Sequence, residues 1–527
     1  MRPALPGAAR VEAPAAGLLL PLLGTILVVL LVALPILAHP YLPLVDLPNH
    51  VARLHIAVTE GGPLAQYYSY KVGLVPNSAA DLAFILFGDP SDPLRFAQLS
   101  FAFYAAALVI SAMVLSRVVW GRWSIWPLAA GLVVYNGNFF WGFQNFLLTM
   151  PLAIAGLALW IGTEGRPLWQ RLLLLVPLGS LVYLLHFFAF AFLAVAALGR
   201  EVQRLVEARG RRWRQLGEGA LLALPFLPPS LWLLSDILFS PPSPVGNYSR
   251  FGGWLDLLVA LRSVTVGPTV NTLPLPNVLG DVALVAVLAL LAPLLLRRGP
   301  RLVLAPPMLG PALALAAGVL LAPSFLNGVA LVNIRFPFAF CVVLFAASRW
   351  EGLPRRAAVA LTVAVLALIG LRGLQFERGA AVHSAQMADL SETLTRLPAG
   401  ARLLPLFEGD WPEERFLHIQ DYAVVQRDAF VPTLFQGVHA ITVLPEWRTY
   451  SHPLLGIMSL DIALRPEPTT VYFEGFPPVE VLIDWRRKFT HVILLGKAEG
   501  PGPEIPGLQP LANAGRFTLY EVLPEQT

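Results

Sequence analysis

The chain reads as a polytopic α-helical membrane protein of about eleven spans, followed by a small C-terminal α/β extracytoplasmic domain. Three observations lead there. Hydrophobic residues fill 56% of the 527 positions and charged residues only 13%, with a mean hydropathy of +0.65, so the apolar surface exceeds what one soluble core can cover. Apolar stretches of membrane-crossing length recur from residue 17 to residue 372. Beyond residue 374 the composition changes to mixed charge, turn-forming Pro and Gly, and short β-like runs.

The first apolar run, Gly17 to Leu37, follows Arg2 and Arg10. It is longer than the roughly 7–15-residue core of a signal peptide, and Ile36 stands where a small residue should precede cleavage after Ala38. The reading is an uncleaved anchor with a cytoplasmic N-terminus. Ten further spans are expected at about 96–116, 124–140, 146–162, 172–185, 187–199, 218–238, 279–296, 302–322, 334–348 and 357–372. The division near His186 rests on charge. One crossing from Leu172 to Leu198 would put Arg200, Arg204, Arg209, Arg211, Arg212 and Arg214 outside, against the positive-inside rule. Two short helices turning at His186 return that cluster to the side of Arg117/Arg122, Arg166/Arg171, Arg297/Arg298/Arg301 and Arg349/Arg355/Arg356.

This topology divides the chain into a membrane domain, 1–374, with an external loop at 38–95, and a soluble domain, 375–527, on the same outer side. Short turns near 136–146 and 323–333 and a loop at 240–278, opened by the stiff Ser240-Pro-Pro-Ser-Pro244, face that side too. Strands are expected at Thr490–Leu495 and Phe517–Val522. No internal repeat is evident. Cys341, the single cysteine, leaves no intrachain disulfide and no Cys-based metal site. The net charge of +4 arises from the alternating Arg clusters and gives no support to nucleic-acid binding.

Function is sought on the outer face, where Val45-Asp46-Leu47-Pro48-Asn49-His50-Val51-Ala52-Arg53 follows the first span. An Asp two residues before a Pro is a common helix opening, and capping alone accounts for it. The alternative is a ligand site, since Asp46 and His50 at i and i+4 share one helix face.

At this point the layout resembles the GT-C superfamily of membrane glycosyltransferases, which use sugars carried on polyprenyl phosphates. The likeness lies in the span number, in the large first external loop with an acidic motif at the end of the first helix, here Asp46-Leu47-Pro48-Asn49-His50, and in the C-terminal domain on the same side. Many members carry two acids in this loop, where this chain has one followed by His50. The resemblance implies a sugar transferase of the cell envelope, placed in the bacterial inner membrane among membrane lipids. Its donor would be a polyprenyl-phosphate-linked sugar and its acceptor a lipid, glycan or protein. Such transfer needs a carboxylate to take the acceptor's proton and cationic or hydrogen-bonding groups on the departing lipid phosphate. Asp46 suits the first role; His50, Arg53 and Arg335 suit the second. No cofactor is required by this scheme, although a divalent metal on Asp46, His50 and His55 would do similar work.

Other polar groups on the outer face carry two readings each. Asn138, Gln144 and Asn145, in a turn dense in amides and aromatics, suit a sugar-lined pocket or an interfacial aromatic belt. His186 marks a polar cavity or is a satisfied structural imidazole, and Arg335 is a phosphate clamp or a snorkelling flank. The run Glu408, Asp410, Glu413, Glu414, His418 and Asp421 reads as solvated surface, and Glu446-Trp447-Arg448-Thr449-Tyr450-Ser451-His452 as surface or an acceptor-binding edge. Nucleotide-binding, dinucleotide and common hydrolase motifs are absent. The competing class is a transporter or flippase for a lipid-linked or polar substrate, for which ionisable residues at the midplane and paired inverted repeats would be expected.

Overall fold

The computed structural model describes residues 16–59, 61–70, 76–208, 210, 212–239, 249–268, 276–326, 329–409, 412–436, 441–452, 456–465 and 480–524. Arg2, Arg10, Arg209, Arg211, the Ser240–Pro244 stretch and Asp410 lie outside them. In chain order the helices are α1 (Ala16–Leu37), α2 (Leu47–Val58), α3 (Ala79–Phe87), α4 (Pro93–Trp120), α5 (Gly137–Trp141), α6 (Gln144–Gly162), α7 (Leu168–Leu185), α8 (Phe187–Glu207), α9 (Arg212–Leu221), α10 (Leu227–Phe239), α11 (Trp254–Arg262), α12 (Pro276–Leu291), α13 (Leu309–Leu321), α14 (Arg335–Ala347) and α15 (Arg355–Leu394). Among the described residues six helices are long and apolar enough to cross a membrane, and Pro306–Leu321 and Arg335–Ala347 are shorter apolar ones. The protein is predominantly helical.

The helices alternate between two ends of the bundle. At one end the Trp160 indole donates to Glu201 at 3.0 Å and Arg200 makes two 2.7 Å bonds to Glu164. There too Gln203 donates to the Pro306 carbonyl at 2.7 Å, Arg301 pairs with Glu351 at 3.2 Å, and Arg349 lies 4.3 Å over the Trp120 ring. The basic loops expected to share a side therefore gather at one end. The break between α7 and α8 falls at His186, whose backbone is extended (φ −166°, ψ 125°). Arg171 near the start of α7 sits 3.7 Å from Glu201 near the end of α8, so the two helices run antiparallel, as the charge pattern requires.

Four expected spans are not single α-helices. The span at 279–296 ends in a 3-10 turn, Ala292–Leu295, and 302–322 opens on a short strand, Arg301–Leu304, paired with Ser348–Glu351, and a 3-10 turn, Pro306–Met308, before α13. Within 124–140 the backbone forms a 3-10 run, Trp126–Val133, and then the short α5. A 3-10 run of that length needs help, because its hydrogen-bond geometry is poor and the carbonyls past its end have no helical donor. Side chains supply it: Arg372 of α15 donates to the Leu132, Tyr135 and Thr265 carbonyls, and Asn136 donates to those of Val133 and Val134 at 2.9 and 3.1 Å. Within 218–238, α9 ends at Leu221, a 3-10 turn covers Leu224–Phe226 and α10 starts at Leu227. Pro225, Pro228 and Pro229 remove the N–H groups that a continuous helix would use.

The C-terminal residues build a five-stranded mixed sheet in the order Leu508–Ala514, Phe517–Val522, His491–Leu495, Leu403–Phe407, Met458–Ser459. Its central pair, Leu403–Phe407 and His491–Leu495, is parallel and buried throughout. This matches the near-continuous apolar character of strands covered on both faces. Ala52 and Ile56 of α2, Tyr67 and Tyr68 of the 38–95 loop, and Met387, Leu390 and Leu394 of α15 share its core. Strand Tyr68–Tyr70 also pairs antiparallel with Ile441–Val443. The boundary expected at 374/375 lies inside α15, which runs unbroken from the bundle into this sheet's core.

Candidate functional site

Asp46 is placed by backbone contact with the turn before α6. Its N–H donates to the Trp141 carbonyl at 3.0 Å and that of Val45 to Phe140 at 3.0 Å. Gly142 adopts φ +79°, and a Cβ there would sit 3.1 Å from the Asp46 nitrogen, so only glycine lets the two segments meet this closely. Asp46 heads α2, but its carboxylate makes no capping bond. Capping side chains bond the N–H of the second or third helical residue, and Pro48 at the second position has none. In this structure Asp46 therefore heads α2 without capping it. Its side chain, 13% exposed, lies 4.0 Å from His418. Burial pushes its carboxyl up to about 8, opposed by the charge of Arg335.

The 3-10 turn Ile419–Asp421 presents His418 to Asp46 from the C-terminal sheet unit. His418 Nδ1 is 3.8 Å from Asp421 Oδ2. Asp421 is fully buried, accepting from the Asn49 amide at 2.9 Å and from the Thr433 hydroxyl at 3.3 Å. Burial, as the main cause, raises Asp421 well above the usual carboxylate range and lowers His418 to about 4. Asn49 also donates to the Thr433 carbonyl at 3.2 Å and accepts from the Phe435 N–H at 3.1 Å. It thus fastens α2 to the C-terminal unit. The Phe435 ring lies edge-to-face with both His418 and His50, centroids 5.0 and 6.4 Å away.

Arg335, at the start of α14, is buried among three aromatic rings, its guanidinium carbon 4.1 Å from the Phe143 centroid, 4.9 Å from Phe188 and 5.5 Å from Phe146. Its guanidinium donates a long hydrogen bond, 3.5 Å, to the Ala330 carbonyl, and Nε has no hydrogen-bond partner. Asn138 donates to the Ile334 carbonyl at 2.9 Å and to Asn136 Oδ1 at 3.1 Å, so its amide ties the turn under Asp46 to the residue before Arg335. His186 accepts from the Phe188 N–H at 3.1 Å as the cap of α8 and packs at a tilt against Phe146, centroids 5.1 Å apart. Two rings of the Arg335 cage are therefore also walls for His186.

The other predicted side chains have different surroundings. Arg53 lies 3.1 Å from Asp81 in a buried pair, Gln144 donates to Ser100 at 2.7 Å, and Asn145 accepts from the Ala80 N–H at 2.7 Å and donates to the Asn77 carbonyl at 2.6 Å. His55 pairs with Asp428 at 2.9 Å, so the ligand set Asp46, His50 and His55 is not assembled. No group of three or more potential His, Cys, Asp or Glu ligands occurs among the described residues. The acidic run also differs from its expectation as solvated surface. Glu413 binds Arg415 at 2.8 Å, and His418 and Asp421 are buried, because the apolar Phe416, Ile419, Tyr422, Ala423 and Val424 interleaved with them draw the segment into the core. Those apolar neighbours were the signal in the sequence, as was Asn49 inside the quoted motif; Thr433 and Phe435 carry none. In the other segment Trp447 donates to the Gln66 carbonyl at 2.7 Å and packs on Tyr67 and Tyr450, so its aromatics join the two chain regions.

Asp46, His418 and Arg335 together offer a buried carboxylate with raised basicity, an imidazole, and a guanidinium with unused donor capacity. That set suits proton removal beside an anionic leaving group. No family model matches the chain, and no curated protein does. Among solved structures it is similar to ArnT from Cupriavidus metallidurans bound to undecaprenyl phosphate, at 12% identity over 97% of this chain and 99% of that one, with a TM-score of 0.49. It is also similar to the same protein in the apo state, at 14% identity over 98% and 100% of the chains, with a TM-score of 0.41.

Proposed function

We propose that this protein is an integral membrane glycosyltransferase that moves a sugar from a polyprenyl phosphate to a hydroxyl of a lipid, glycan or protein acceptor. The carrier in this reading is of the same class as the undecaprenyl phosphate held by ArnT. The observation that carries the proposal is the Asp46 carboxylate, which heads a helix without capping it and lies within the field of Arg335 and 4.0 Å from His418. Asp46 takes the acceptor's proton as the new glycosidic bond forms. The bond from the anomeric carbon to the phosphate oxygen breaks with its electron pair left on the lipid phosphate, where Arg335 neutralises charge. Asn138 fixes the segment that carries Arg335 relative to Asp46, and His50 and His186 border the same region.

The gathering of Arg at the opposite end supports an orientation with that end cytoplasmic and the site outward, as in a bacterial inner membrane. The remaining apolar segments complete the eleven crossings in this reading. Asp46→Asn tests the assignment, because it keeps size and polarity and removes basicity. Release of polyprenyl phosphate from a sugar-loaded donor should fall by roughly 10²-fold or more, with the melting temperature unchanged. Wild-type release by a folded Asn variant would overturn the assignment.

A further inference from the structure

We propose that His418 is a relay residue for Asp46, receiving from it the proton taken from the acceptor and so restoring the carboxylate for the next turnover. The inference rests on the transferase reading and adds to it a group supplied by the C-terminal unit.

The geometry carries the argument. Asp46 and His418 approach from segments more than 350 residues apart in sequence and leave Oδ1 and Nε2 4.0 Å apart. A closure of about 1 Å brings such atoms to hydrogen-bond distance. The far side of the ring, Nδ1, has no hydrogen-bond partner and lies 3.8 Å from Asp421 Oδ2. Asp421 is immobilised by Asn49 and Thr433, and Asn49 belongs to the same helix that Asp46 heads. The Asn49 amide thus ties the helix headed by Asp46 to Asp421, three residues from His418. The charged or titratable groups facing this pair are Asp421 on the imidazole's own segment and Arg335 across Asp46; Phe435 covers the ring edge.

An Nδ1–H tautomer directs its proton at Asp421 and its Nε2 lone pair at Asp46. During transfer the acceptor proton ends on Asp46 and the electron pair of the broken bond on the lipid phosphate. The relay step then breaks the Asp46 O–H bond and forms the His418 Nε2–H bond, giving an imidazolium beside Asp421, which afterwards releases one proton to water. No electron is exchanged and no further reactant is needed. Burial lowers the imidazole below the Asp46 carboxyl in basicity, so the relay is empty at rest and the imidazolium forms only transiently, as an ion pair with the Asp46 carboxylate, before its proton passes to water.

The test uses the full chain in lipid nanodiscs with His418→Gln, which keeps size and hydrogen bonding and cannot carry the proton, and with Asp421→Asn as a second variant. The expected result is a steady-state rate lowered about tenfold or more for His418→Gln, with the first turnover and the donor KM retained. The rate should recover toward wild type at alkaline pH, where hydroxide deprotonates Asp46 directly. Asp421→Asn should move the same quantities less. A wild-type rate and pH profile in a folded His418→Gln protein would overturn the proposal, as would an equal loss in the first turnover. A readout without substrate separates this from failure of the transferase reading. The protonated-carboxyl infrared band that disappears in Asp46→Asn should titrate at a midpoint displaced by about one pH unit or more in His418→Gln. An undisplaced midpoint overturns the coupling even if no donor is turned over, and a displaced one supports it.

Discussion

At Asp46 the residue type and its surroundings pull in opposite directions, and the balance predicts a pH dependence. Burial holds the carboxyl near 8, and the Arg335 charge keeps it from rising further. A base works in its ionised form, so kcat/KM should climb about tenfold per pH unit below 8 and level off above it. Arg335→Met removes the opposing charge, so the rising limb should move to higher pH. Arg335→Lys keeps the charge and should leave the limb in place while weakening donor affinity about tenfold, because an ammonium cannot reproduce a planar two-pronged phosphate contact. Profiles of the two variants that coincide with wild type would remove Arg335 from the site. Asp46 and Arg335 were both legible in the sequence, each as one of two readings. Pro48, which denies Asp46 one of its two capping partners, was visible in the sequence; that Asp46 makes no capping bond at all needed coordinates.

Helix α2 is the element through which the C-terminal unit reaches the site. Asn49 donates to Asp421 and the Thr433 carbonyl and accepts from Phe435. Asn49→Ala therefore strands buried polar groups at a cost of about 1–3 kcal/mol. The variant should show faster backbone hydrogen exchange confined to α2 and residues 418–436, with the bundle helices unaffected; protection unchanged in both segments would refute the fastening role. The motif containing Asn49 was visible as a helix start, yet its partners are more than 370 positions away, and no local pattern encodes a contact at that separation. Arg372 shows the same limit. It stands in an apolar run as a costly charge, and only the packed bundle places it against the Leu132 and Tyr135 carbonyls at the end of the 3-10 segment and the Thr265 carbonyl after α11.

For the whole molecule, the separation of basic loops from Asp46 predicts sidedness. With Cys341 replaced by Ala, single cysteines at the exposed positions Ser91 and Gln509 should label from outside cells, and one at Arg212 only after permeabilisation; labelling of Arg212 from outside would reverse the orientation. The alternation of ends, the break at His186 and the two C-terminal strands were determined by sequence alone, because hydropathy, charge and β-pattern are local properties read along the chain. The non-helical course of 126–133, the entry of α2 and strand Tyr68–Tyr70 into the C-terminal unit, and the meeting of Asp46 with His418 and Arg335 were decided only by tertiary structure. Each depends on which distant side chain satisfies a buried polar group, a choice made by packing among many chemically equivalent partners.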